Sequence, residues 1–209
     1  MRLISVLLPM ALAGCSVLEQ PTGLMPRSTI AYRDVVTEKD RLRLRDWRTA
    51  LAAGLNAARR SGRSADIESE GALLDPDAAL STPAIPNGRY RCRVIKLGGK
   101  APGAPDYTSF SGFTCEVRAE RGLQRLSKLN GRQRYVGLLF PSDAFRLVFL
   151  GALVLGDEQR ALQYGQDDQR DVAGYLERVG SARWRLVMPE PYFESRVDIM
   201  ELVPEGALR

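Results

Sequence analysis

From Gly88 onward the chain is a succession of short apolar or alternating runs cut by Gly, Pro and Asp, with no helical stretch between them. That texture narrows the fold more than any other feature, because runs of this length and punctuation are strands. Eight can be read: 89–97, 113–119, 123–129, 134–140, 145–155, 172–179, 183–188 and 197–203. Eight consecutive strands without a crossover helix predict an antiparallel meander, closed as a small up-and-down barrel or folded as a sandwich. In the first run Arg89, Arg91 and Arg93 alternate with Tyr90, Cys92 and Val94; in the second Thr114, Glu116 and Arg118 alternate with Phe113, Cys115 and Val117. Both cysteines therefore lie on the apolar face.

Ahead of the strands, Thr37 with Asp40 three residues on has the pattern of a capped helix start. Leu44, Trp47, Leu51, Leu55 and Ala58 recur at helical spacing, while Arg41, Arg45, Arg48 and Asn56 fall elsewhere, and Gly62 ends the pattern. One amphipathic helix over 37–60 is expected, then a short helix over 64–70 and a loop over 71–77. The fifth strand is apolar on both faces, with Phe145, Leu147 and Phe149 against Val148, Leu150 and Ala152. Its outer side needs a cover, and the long helix is expected to supply one through Trp47 and Leu51.

The start of the chain has a different character. Met-Arg precedes an apolar run from Leu3 to Ala13, and Leu12-Ala13-Gly14-Cys15 follows. A basic start, a short apolar stretch and small residues before a cut site describe a secretory signal peptide, too short to remain as a membrane span. The last four residues match a lipoprotein lipobox, in which lipid is attached to Cys15. Several acyl chains anchor a protein stably where one does not. The expected organisation is a signal peptide over 1–14, a lipid-anchored tether over 15–35, a helical segment over 36–87, a barrel-like domain over 88–204 and a tail over 205–209. The expected location is the cell envelope, facing the periplasm, with Ser16 pointing to the outer membrane. An oxidising compartment would join Cys92 to Cys115, worth about 3 kcal/mol on the chain-entropy account.

Composition narrows function further. The chain has no histidine, so His-dependent triads, His-ligated zinc and the commonest general base near neutral pH are excluded. The net charge of +5 falls to about +4 once Arg2 leaves with the leader. In an exported protein that charge points to anionic lipid or cell-wall polymer, with no nucleic-acid partner expected. No Gly-Xaa-Ser-Xaa-Gly, Ser-Xaa-Xaa-Lys or phosphate-loop pattern is present. Close acidic pairs occur at Asp157 with Glu158 and at Glu190 with Glu194, the only basis for a His-independent carboxylate hydrolase. Asp167, Asp168 and Asp171, and Asp75 with Asp77, lack the full spacing of a calcium loop. The expectation is a non-catalytic chain with no cofactor and no metal.

The segments Glu70-Gly71-Ala72-Leu73-Leu74-Asp75-Pro76-Asp77, Tyr90-Arg91-Cys92-Arg93-Val94-Ile95-Lys96-Leu97-Gly98, Val136-Gly137-Leu138-Leu139-Phe140-Pro141, Phe149-Leu150-Gly151, Arg183-Trp184-Arg185-Leu186-Val187 and Phe193-Glu194-Ser195 together resemble an alphaproteobacterial envelope family, domain of unknown function 4893. The resemblance runs from about Thr37 to Pro204 and implies no activity or catalytic residue. The meander also looks like a lipocalin-type barrel, a likeness of architecture alone.

In such a meander the connections after odd-numbered strands emerge at one end. Here they are 98–112, 130–133, 156–171 and 189–196, so the long loops gather at that end, and barrel mouths are a recurrent place for ligands. Tyr107, Phe110, Tyr164, Tyr192 and Phe193 lie on them and are the candidate ligand-binding residues. Among the inward rows Tyr90, Cys92, Phe113, Trp184 and Met188 are bulky, while Gly137, Gly151 and Gly174 leave room. Two readings follow: a barrel whose mouth holds a small apolar or amphipathic ligand, or a filled barrel that docks envelope proteins or cell-wall polymer, with the row Arg89, Arg91 and Arg93 offered to the partner.

Overall fold

The computed structural model describes residues 30–206; the expected signal peptide, Cys15, most of the tether and the end of the tail lie outside the described residues. The eight runs all form strands: β1 (Gly88–Gly99), β2 (Tyr107–Glu120), β3 (Leu123–Lys128), β4 (Gln133–Pro141), β5 (Arg146–Leu155), β6 (Asp171–Gly180), β7 (Arg183–Pro189) and β8 (Ser195–Pro204). Each pairs antiparallel with the next, and β8 returns to pair with β1, placing Met200 opposite Val94. Closure gives each of the eight strands a neighbour on both sides, and it decides the barrel over the sandwich.

One strand begins earlier than its pattern suggests. Cys92 faces Phe113 and Val94 faces Phe110, so β2 carries one residue more than β1 over this stretch. That is a β-bulge. Gly112 accommodates it at φ +81°, a backbone angle that a residue with a side chain rarely adopts. The bulge breaks the alternation on which sequence reading relies, so residues 107–112 look like loop. Tyr107 and Phe110 are strand residues, and the connection shrinks to 100–106.

The interior is packed with side chains. Tyr90, Cys92, Cys115, Phe149, Trp184 and Met188 belong to one buried cluster. Cys92 and Cys115 are joined by a disulfide with a Cα–Cα separation of 6.0 Å. Gly137 and Gly151 face one another across β4 and β5, and the room they leave is occupied: a Cβ at either would lie 2.7 or 2.8 Å from the tip of the Phe149 ring. Leu186 and Met188 take up the space beside Gly174 in the same way, at 3.1 and 3.2 Å from such an atom. One end of the barrel is stoppered by residues 80–87. Trp184 Nε1 donates to the Ala84 carbonyl at 3.2 Å, Gln124 Nε2 to that of Ile85 at 2.8 Å, and Ile85 is buried in the interior cluster.

The helical segment wraps the outer wall. Thr37 caps its start, its hydroxyl accepting from the Asp40 amide at 3.3 Å. The expected single helix is two, α1 (Glu38–Arg45) and α2 (Trp47–Arg60), parted at Asp46 (φ −97°, ψ 13°), and α3 (Ser64–Glu70) follows. A straight helix over 37–60 would be roughly 36 Å long, too long to keep one apolar stripe on a convex barrel wall. Splitting it lets each part sit on different strands. Trp47, Leu51 and Leu55 pack on Ile95, Leu97, Val187, Val197 and Ile199 of β1, β7 and β8. Gly54 permits that approach, since a Cβ there would lie 2.8 Å from Val197. The expectation that Trp47 and Leu51 cover β5 is therefore corrected: Val148 and Leu150 are covered by Val36 and Leu44.

Candidate functional site

The end opposite the stopper keeps a cavity of about 240 Å3, lined by Val94, Lys96, Phe110, Phe113, Lys128, Arg132, Gln133, Tyr135 and Glu194. β1 brings Val94 and Lys96 to it, continuing inward the row of Tyr90 and Cys92. β2 brings Phe110 and Phe113 on either side of the bulge, and β3 ends in Lys128. The cavity is thus walled by apolar groups and floored by charge.

Its floor is a connected network. Asp198, 1 % exposed, accepts from Lys96 Nζ at 2.8 Å and from the Tyr135 hydroxyl at 2.7 Å on one oxygen, and from the Ser195 hydroxyl on the other. Burial, and then the adjacent Asp198 carboxylate, push the Tyr135 hydroxyl well above the ordinary tyrosine range. Lys96 also pairs with Glu194 at 3.2 Å, and Glu194 accepts from Gln133 Nε2 at 3.0 Å.

Lys128 differs from Lys96. It is 3 % exposed, and its ammonium donates to the carbonyls of Gln133 at 2.7 Å and Asn130 at 2.8 Å. It also sits 3.5 Å from the centre of the Phe113 ring. No carboxylate among the described residues pairs with it. Burial, with Arg134 and Lys96 adding repulsion, lowers its pKa from 10.5 to about 8. On the rim, Glu190 and Glu194 hold backbone angles of φ +45° and +65°, unusual for residues with side chains.

Across the helices and barrel just described, the family model for a domain of unknown function, DUF4893, matches residues 32–202. The chain belongs to the DUF4893 family. No curated protein and no solved structure matches it. The DUF4893 match spans nearly the whole of the described fold, from the turn before α1 to the last pairs of β8.

The five candidate aromatics of this DUF4893 chain do not form one ring. Phe110 lines the cavity, and Phe193 packs onto the interior cluster. Tyr192 stands on the rim, edge-on to Phe193 at 4.9 Å between ring centres. Tyr107 and Tyr164 are corrected to the outer wall. Tyr107 faces Leu97 in the register, so it points away from the lumen, and its hydroxyl donates to Glu70 at 3.1 Å. The 156–170 loop folds back towards α1, where the Tyr164 hydroxyl donates to the buried Asp40 carboxylate at 2.8 Å. Lys96, Lys128, Tyr135 and Asp198 were absent from the sequence-based candidates. Their inward parity within the apolar rows was the signal that could have found them.

The conspicuous run from Glu70 to Asp77 is structural. Arg185, fully buried on the outer wall of β7, donates to the carbonyls of Leu73 at 2.9 Å and Asp75 at 2.6 Å and to Glu177 at 2.8 Å. Glu177, also fully buried, accepts in addition from Arg146 at 3.1 Å. Arg93 pairs with Glu70 and Glu201 and is thereby removed from the docking row expected for it, while Arg89 pairs with Glu205 at 3.3 Å.

Several of the acidic candidates have local partners. Glu158 is held down to about 2, chiefly by Arg170 and then by the Leu155 amide. Glu190 pairs with Lys100, Asp168 with Lys39 and Asp77 with Arg48. Among the described residues no group of three or more His, Cys, Asp or Glu is placed to hold a metal ion, and no helix is long and apolar enough to cross a membrane.

Proposed function

We propose that this DUF4893 chain is a non-catalytic lipoprotein of the cell envelope, anchored through lipid on Cys15 and facing the periplasm, whose barrel mouth holds a small amphipathic molecule. The observation that carries the reading is the cavity itself. Below it the interior is filled by side chains such as Phe149, whereas at the mouth Val94, Phe110 and Phe113 leave an apolar space beside charged groups. At about 240 Å3 that space lies under the roughly 300–1,000 Å3 of drug-sized pockets, which suits a short ligand or the end of a longer one.

The filled lower barrel favours a second reading, a structural lipoprotein whose outer faces dock envelope proteins or cell-wall polymer. Native mass spectrometry separates the two. The domain is secreted through a cleavable leader in place of residues 1–15 and purified without detergent. Added mass that is lost on denaturation is the expected result; a bare protein mass, even after incubation with a periplasmic extract, transfers the weight to docking.

A further inference from the structure

The charges around the cavity are unevenly matched. Lys96 is paired with Asp198 and Glu194, and those two carboxylates also accept from Tyr135, Ser195 and Gln133. Lys128 and Arg132 remain on the same cavity with no carboxylate paired to either among the described residues. For Lys128 this is costly, because a buried ammonium bound only to two carbonyls and an aromatic face lacks a counterion. Such a group favours the entry of a negative charge and opposes that of another cation. The apolar part of the wall, Val94, Phe110 and Phe113, offers nothing to a second polar head, and Phe110 is 43 % exposed at the opening.

Resting on the mouth-binding reading above, we infer that the cavity takes a single-chain organic anion, its carboxylate-type head against Lys128 and Arg132 and its apolar chain along Val94, Phe110 and Phe113. The head supplies the counterion that the fold withholds from Lys128. The small volume limits the buried part of the chain to a few carbons, and the open end lets a longer chain project past the rim.

The test is calorimetric titration of the full chain in lipid nanodiscs, with empty nanodiscs subtracted, using octanoate and the uncharged octanol at neutral pH. A charge-assisted contact predicts octanoate binding roughly tenfold to a hundredfold tighter than octanol. Lys128→Met should erase that preference while leaving octanol binding in place. Equal affinity for both probes overturns the anion inference and leaves an apolar mouth site standing. Binding of neither overturns the mouth reading itself. The comparison on the unaltered chain decides the matter even if Lys128→Met fails to fold; a folded Lys128→Met that keeps the preference also refutes the assignment.

Discussion

Arg185→Met is the perturbation that most directly probes how the helical segment is fastened to the barrel. Arg185 and Glu177 are both fully buried, and the guanidinium reaches the carbonyls of Leu73 and Asp75 as well as the carboxylate. Methionine roughly conserves the apolar stem and removes every one of these donors. The carbonyls of Leu73 and Asp75, with those of Ala72 and Pro76, then lose a charged partner, and Glu177 keeps only Arg146. Breaking one side of a buried ion pair costs about 3–5 kcal/mol. For a domain of this size each kcal/mol lowers the melting temperature by about 2–4 °C, so a fall of roughly 6–20 °C is expected. The assay is thermal and urea unfolding followed by circular dichroism, with limited proteolysis to ask whether the 71–87 segment becomes the first site of cleavage. Glu177→Gln, which keeps the shape and removes the counter-charge, should also destabilise. A loss under about 1 kcal/mol for Arg185→Met would refute the view that this residue bolts the segment to the wall.

Gly151→Ala should be poorly tolerated, because its Cβ would lie 2.4 Å from the Val136 carbonyl oxygen and 2.8 Å from the Phe149 ring; a cost of about 1–3 kcal/mol or more is expected, and an unchanged melting temperature would contradict a filled interior. Replacing Cys92 and Cys115 together by alanine should remove about 3 kcal/mol of stability, read as a lower urea midpoint, since the bridge closes a sequence separation of 23 residues. Lys128 titrates lower in the folded chain, near 8, than the ordinary 10.5, so between these values the unfolded chain binds more protons and stability from this group rises with pH. Urea midpoints of the unaltered chain should therefore gain on those of Lys128→Met as pH is raised from 8 towards 10; parallel profiles would remove the burial argument. Cys15→Ala should move the protein out of the membrane fraction into the soluble fraction, and continued sedimentation with membranes would contradict the lipid anchor.

How much was legible beforehand depended on whether a feature repeats along the chain or is met once. All eight strands and the helices over 37–60 and 64–70 could be read from periodicity, because a strand or helix that buries one face must repeat apolar residues at its own period. Parity alone placed Cys92 and Cys115 on a common face, and the cap at Thr37 was visible in its neighbours. The absence of histidine excluded whole classes of chemistry without any coordinates.

What only the tertiary structure decided is everything that depends on which segments meet. Closure of β8 onto β1 chose the barrel, because pairing between strands about a hundred residues apart leaves no local pattern. The bulge at Gly112 hid the first half of β2 by interrupting the alternation that reveals strands. Phe149 filled the space that Gly137 and Gly151 seemed to leave, and convex curvature broke the long helix at Asp46. The mouth site escaped sequence reading for the same reason. Lys96, Lys128, Tyr135 and Asp198 come from four strands, polar positions in largely apolar rows, and only the closed wall brings Lys96, Lys128 and Tyr135 to one cavity with Asp198 bonded beneath Lys96 and Tyr135, where burial and mutual charge give them their chemistry.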